Sequence, residues 1–314
     1  MDHHFEGSII KEAENKDNIA KLVRGEDIDN EIYIEAYSNR YSKEEGVLKF
    51  QFGKNIGLLP DEELHGNHTN QKGKYYCSTV VGFFVDSKEQ NPDGTYTYKL
   101  SRKRVHNKFY DNVLSNCKPG DIIKGTVLHV YTTTTFIDLG FGFVTMLKIS
   151  NASICRFTDM NLLFERGQEV NLIVTNNNTE AHIIDVSHKE LLGKWDDLVK
   201  DIKKGDTVAG RLIRVEDYGL FVALNPNLLA LVDYTANNKN YSLDELEVNS
   251  IVMLTIRQIN AEHTKIKATL ERVTGTVDEV PKEEFMYFLE DILTEDKKWY
   301  YNEHDTTKNV ITCF

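Results

Sequence analysis

Two aromatic residues in the stretch RLIRVEDYGLFVAL (211–224), Tyr218 and Phe221, stand where a ring could be offered to a flat ligand, and two cations, Arg211 and Arg214, precede them. The stretch alternates apolar and polar residues as a half-buried strand does. Counting by twos from Leu224 puts Val222 and Leu220 on the buried side, because strand side chains alternate between faces. Phe221 then points outward, beside the small residues Gly219 and Ala223. The turn-prone EDYG leaves the parity of Tyr218 open. Rings bind flat ligands by stacking and guanidinium groups bind anions, so binding is the chemistry to test first.

Catalytic patterns give little to set against it. The chain has no phosphate loop ending in Gly-Lys-Ser/Thr, no nucleophile elbow and no His-Glu-x-x-His. His65 and His68 in LHGNHTN have metal-like spacing, but a polar loop with two histidines is the plainer reading. Asp27 and Asp29 read as solvated acids entering a strand. Cys77, Cys117, Cys155 and Cys313 show no metal or redox spacing and read as free thiols. A non-enzyme with no cofactor and no metal is expected.

The 314 residues carry a formal charge of −12, which disfavours coating of nucleic acid by bulk attraction. The acid sits at the ends, with −4 in residues 1–30 and −6 in 274–314, leaving −2 between them. No apolar run approaches the ~20 residues of a membrane helix, and the amino end lacks the plan of a signal peptide. A cytoplasmic protein without membrane contact is expected.

A repeat organises the middle. KPGDIIKGTVLHV at Lys118 returns as KKGDTVAGRLIRV at Lys203, a shift of 85 that maps Gly125 on Gly210 and Phe136 on Phe221. An earlier copy shows at its far end, where Val105, Phe109 and Val113 correspond to Leu191, Trp195 and Val199. Each copy reads as short strands and turns, including STVVGFFVDS and GTYTYKLS around a Pro-Asp-Gly loop. Five strands in about 70 residues suggest an OB-fold barrel. The expected fold is mostly β: three tandem five-stranded OB-fold barrels joined by short linker helices, with a C-terminal amphipathic helix. The expected divisions are an acidic segment 1–23, barrels at 24–102, 118–187 and 203–273, linker helices at 103–117 and 188–202, and an acidic helix and tail at 274–314. The C-terminal helix rests on Phe285, Phe288, Leu289, Ile292 and Leu293 at helical spacing. Residues 1–23 show weak periodicity, and disorder is the expectation there.

The third copy, with Gly-Asp, the Tyr-Gly-Leu-Phe-Val run, LVDYT and VMLTIRQINAEHTKIKATLER, resembles the RNA-binding repeat named after bacterial ribosomal protein S-one. The second copy is similar but more diverged, and the first resembles early repeats of that family through NIGLLPDEEL and LSRKR. The resemblance covers about four-fifths of the chain. It implies tandem barrels that bind single-stranded RNA or mRNA, in translation or RNA metabolism, with the small ribosomal subunit as a further partner. The pattern's histidine is replaced by Asp233, Lys148 and Pro60 in copies three, two and one. In copy two Thr133 and Thr134 replace the first aromatic and its glycine. Members of standard length carry more than three repeats.

Single-stranded RNA exposes base faces that stack on aromatic rings at ~1–3 kcal/mol each by truncation. The expected RNA-binding residues are Tyr218, Phe221, Arg211, Arg214, Lys265 and Lys267 in copy three, with Phe136 and Lys148 in copy two. Phe50 of copy one reads as core. In the competing reading Tyr218 caps the barrel mouth and the basic residues are solvated strand positions. The run KLSRKRVHNK, with Lys99, Arg102, Lys103, Arg104 and Lys108, reads as a solvated helix start. The alternative function is a protein-interaction scaffold whose diverged barrels dock on the ribosome or another partner. A monomer is expected.

Overall fold

The computed structural model describes residues 4–66, 72–233, 246–275, 285–290, 292–305 and 310–314. His68 and the stretch 276–284 therefore lie outside the described residues. The chain is mostly β and divides into two compact units: 1–118 with 137–145 and 176–184, and 119–136 with 146–175 and 185–314.

In the first unit, helix α1 (Ala13–Arg24) precedes strands β1 (Ile34–Tyr37), β2 (Arg40–Ser42), β3 (Val47–Phe52), β4 (Asn55–Pro60), β5 (Val80–Gln90) and β6 (Tyr96–Ser101). The sheet order is β1-β5-β6-β4-β3-β2. Its two edges are halves of one interrupted strand: Ser38 N–H bonds Thr79 O on the β5 side, and Asn39 N–H bonds Lys49 O on the β3 side. The count is six strands rather than the expected five because the chain bends between Ser38 and Asn39. Phe50, Phe52, Phe83 and Tyr98 fill the core, so Phe50 packs as its alternation indicates.

Residues 4–24 are packed into the structure, contrary to the disorder expected from their composition. Leu22 is fully buried against this sheet, and α1 ends at Gly25, whose φ of 78° lets its N–H return to Leu22 O. The amide of Asn15 exchanges two hydrogen bonds with the backbone of Glu35, acting as one more sheet partner for β1. Polar burial of this kind carries no apolar signature, which explains why weak periodicity misled.

Polar groups also hold residues 4–9. Glu6 takes two 2.8 Å bonds from Arg102, and Asp138 accepts the N–H groups of Glu6 and Gly140. Glu35 accepts from Gly7, Ile9 and the Tyr33 hydroxyl. Arg102 is buried, which corrects its reading as part of a solvated helix start. Its neighbours in the run do lie at the surface: Lys99, Arg104 and Lys108 pair with Glu89, Asp86 and Glu31. Burial opposes the charge of Arg102, but Glu6, Tyr76 and Asp138 together hold its proton more tightly than usual. Burial and then the charge of Glu6 push Asp138 up to about 7.

The linker helix α2 (Lys103–Asn112) follows, then β7 (Ile122–Val130), β8 (Thr134–Asp138), β9 (Val144–Lys148), helix α3 (Ile149–Ala152), β10 (Glu169–Asn178) and β11 (Ile183–Ser187). These strands form a sheet in the order β11-β10-β7-β8-β9. It is not closed by a backbone ladder as the third repeat is; instead the Thr145 hydroxyl donates to Ile184 O at 2.6 Å, linking the two edge strands.

The second linker is shorter than expected. A 3-10 turn at Lys189–Leu192 is separated from α4 (Trp195–Val199) by Gly193, which has a positive φ of 94°. Beyond it, β12 (Thr207–Glu216), β13 (Gly219–Asn225), β14 (Leu228–Asp233), β15 (Ile251–Asn260) and β16 (Lys265–Gly275) form a closed barrel in the order β12-β13-β14-β16-β15. The parallel pairing of β14 with β16 closes it, giving OB-fold topology. Leu212, Leu220, Val222, Val232, Leu254 and Ile266 fill it, and Trp195 packs into the same cluster.

The expected C-terminal helix is absent from the described residues. Phe285–Glu290 has no helical bonding, and β17 (Lys298–Tyr300) pairs with β18 (Ile311–Cys313). Tertiary contacts override the helical spacing. Phe285 and Tyr287, two residues apart, both meet His188, and Phe288 N–H bonds Leu191 O. Phe288 also fills the space a side chain at Gly193 would need. With His188 Nδ1 donating to Ala152 O, its Nε2 accepts from the Tyr287 hydroxyl, which in turn accepts from Asn171 N–H. Burial holds His188 down at about 4, so the ring is neutral at physiological pH.

The raised Asp138 gives a signed pH dependence. Its folded value of about 7 lies above its ordinary 3.8, so its contribution is complete below pH ~4 and is lost as pH rises to ~7. In urea titrations from pH 4 to 8, the stability difference between the parent and Asp138→Asn is expected to shrink by up to about 1.4 kcal/mol per pH unit, then level off above pH ~7. A difference independent of pH would show that Asp138 is already ionised throughout.

Candidate nucleic-acid interface

The site begins with the alternation along β13. Leu220 and Val222 are fully buried inside the barrel, so Phe221 must face out, and it does, half-buried. Tyr218, in the turn before β13, is 60% exposed. The two rings meet edge to face, with centroids 5.9 Å apart and planes at 89°. They form a corner of two perpendicular faces rather than one flat platform.

A register shift completes the site. In β12, Leu212 faces Val222 in the core, and strict alternation would send Arg214 inward as well. The ladder shifts between Leu212 and Arg214, so Ile213 is an extra residue and the parity reverses. Arg214 then lies opposite Phe221, its guanidinium 4.0 Å from the ring centroid. Across the sheet, Phe221 faces Leu231, and Leu231 faces Lys267. Arg214, Phe221, Leu231 and Lys267 thus form one outward row over four strands, with Lys265 exposed two residues before Lys267.

Acids flank this row. Arg214 Nε lies 3.2 Å from Glu216, and Asp233 stands opposite Gly219. Guanidinium planes, like aromatic rings, accept stacked bases, while the mixed charges limit attraction for phosphate. Arg211 lies off the row, with Nη1 2.5 Å from Leu162 O.

In the second repeat, Phe136 is half-buried in β8 and Lys148 is exposed at the end of β9. Tyr131, missed in the sequence, packs edge to face on Phe136 with centroids 5.8 Å apart and planes at 85°. It is 57% exposed. A tight turn, Tyr131 N–H to Thr134 O, brings it over β8. The repeat register sets Thr133 against Tyr218 and so hides a ring displaced by two residues; the signal was the aromatic just before the Thr-rich turn. In the first repeat Tyr37 and Tyr75 are both 63% exposed, and Lys74 lies 4.7 Å from the Tyr75 centroid.

The closed barrel, the repeat and the outward ring pairs define a tandem OB-fold repeat protein. No family model matches the chain. Over 227 residues it is 26% identical to the small ribosomal subunit protein bS1 homolog of Bacillus cereus, covering 68% of this chain and 57% of that protein. Over 267 residues it is 24% identical to the small ribosomal subunit protein bS1 of Staphylococcus haemolyticus, covering 82% and 66%. A crystal structure of a multidomain protein with nucleic acid binding domains from Streptococcus pneumoniae TIGR4 aligns over 76% of this chain and 73% of that one, at 11% identity and a TM-score of 0.24. The chain is thus similar, at low identity, to bS1 proteins over much of its length. It spans about half the length of the curated relatives it matches. None of the described helices is long and apolar enough to cross a membrane.

Outward rings should be dispensable for folding. Tyr218→Ala is expected to change unfolding free energy by no more than about 0.5 kcal/mol, whereas Leu220→Ala should cost about 2–5 kcal/mol. Urea midpoints measure both; a Tyr218→Ala loss as large as that of Leu220→Ala would make the ring a structural cap.

Proposed function

We propose that this chain binds single-stranded RNA, mRNA included, by stacking bases on the ring corners of its repeats, without catalysing a reaction on it. The observation that carries this reading is the exposed, perpendicular Tyr218–Phe221 pair with Arg214 against the inner ring, built on a strand whose opposite face is core. Similar geometry at Tyr131 and Phe136 supports it, since copy two reaches the same corner by a different residue. Similarity to small ribosomal subunit proteins bS1 supports translation as the setting and the small subunit as a partner. A protein acting as a monomer and confined to the cytoplasm fits the same reading.

Each corner is a weak site. Glu216 and Asp233 offset part of the charge of Arg214 and Lys267, so stacking rather than bulk attraction supplies the affinity. Linked sites still bind usefully, because the second contact becomes intramolecular.

Fluorescence anisotropy with a labelled oligoribonucleotide tests this. The double change Tyr218→Ala/Phe221→Ala is expected to weaken binding about tenfold or more, and adding Tyr131→Ala/Phe136→Ala to weaken it further. The affinity of the parent should fall with salt at about −0.7 log units per log unit for each neutralised phosphate. No salt-sensitive binding by the parent, together with recovery of proteins alone from a nuclease-treated pull-down, would favour the scaffold instead.

A further inference from the structure

The outward surface of β12 and β13 continues past Phe221. Two residues on, and about 7 Å further along the strand, Ala223 has the same facing, and Arg211 stands opposite it as Arg214 stands opposite Phe221. Here the surface sinks into a cavity of about 220 Å³, lined wholly by residues of the second unit. Buried Ala223 and exposed Ala209 line it from the strands, Phe157 and Leu162 from the segment after α3, Phe285 from the C-terminal segment, and Arg211 supplies the charged wall. Arg211 is held in place by the carbonyl of Leu162.

The dimensions and chemistry restrict the occupant. The volume is below the ~300–1,000 Å³ typical of sites for drug-sized ligands, which leaves room for a single ring system. A phosphate would be desolvated against the apolar walls. A nucleobase suits the lining: its faces match the phenyl and leucyl walls, and its carbonyl and ring-nitrogen acceptors can add to the partners Arg211 already has. The cavity also continues the face that carries Phe221, so a strand crossing that ring arrives at the mouth.

We propose that this cavity receives one base of a single strand whose neighbouring base lies on Phe221, an inference that rests on the RNA reading above. The small residues at 209 and 223 are then what opens the pocket, and Arg211 orients the base within it.

The test is an abasic scan, in which single bases are deleted in turn from a short oligoribonucleotide bound to the full chain. In the parent, two neighbouring positions are expected to be sensitive, each costing about five- to a hundredfold in affinity. Phe221→Ala should abolish one sensitivity, and Ala223→Leu, which fills the cavity, the other. Ala209→Leu, at an exposed lining position, is expected to abolish the same sensitivity without disturbing the barrel should Ala223→Leu do so, and thermal melting of each variant reports on folding. If the parent binds no RNA, the reading of the whole chain fails. If it binds and Phe221→Ala weakens it, but both cavity variants keep the parent's abasic profile, the pocket assignment alone is overturned. A free mononucleotide that binds the parent as tightly as the oligonucleotide, and is lost in Ala223→Leu, would replace the strand with a free nucleotide as the occupant and overturn the proposal.

Discussion

One extra residue in β12 governs the outer face of the third barrel. A closed barrel commits every second side chain to its core, and Leu212, Leu220 and Val222 satisfy that demand. Under unbroken alternation Arg214 would join them and bury a charge in an apolar core. The bulge at Ile213 removes the conflict and places a guanidinium 4.0 Å from the centroid of Phe221. The aromatic and cationic parts of the site therefore share one mechanical origin. The same row then reaches Leu231 and Lys267 through ordinary ladder pairing.

Elsewhere, polar groups do work that apolar packing does in larger cores. Asn15 pairs with the backbone of Glu35, Thr145 links β9 to β11, and Arg102 holds Glu6 beneath the surface. At the other end, His188 and Tyr287 join the C-terminal segment to α3 and β10 through a relay of three hydrogen bonds. Buried groups of this kind stabilise only when every partner is present, which makes them specific and sensitive to protonation. Asp138 and His188 respond to pH in opposite senses, since burial raises the carboxyl and lowers the imidazole.

Much of the third repeat could be read from residue order. The outward facing of Phe221 followed from period two and the OB-fold from strand count. Tyr131 escaped because alignment by a fixed shift compares positions, whereas a turn can deliver a ring from two residues away. The helix expected around Phe288 failed for a different reason. An amphipathic spacing states which residues prefer burial, but an extended segment presents alternate ones, so His188 meets Phe285 and Tyr287 while Leu289 stays exposed.

The amino-acid sequence by itself determined the repeat, the β character of the barrels and the sidedness of the strands, because alternation and turn chemistry are local and survive divergence. Only the tertiary structure decided which cation meets which ring, that Arg102 is buried, that residues 4–24 are packed into the structure, and that a cavity opens beside Ala223. Those features depend on partners distant in the chain and on bulges that shift register by one residue, and neither leaves a periodic mark.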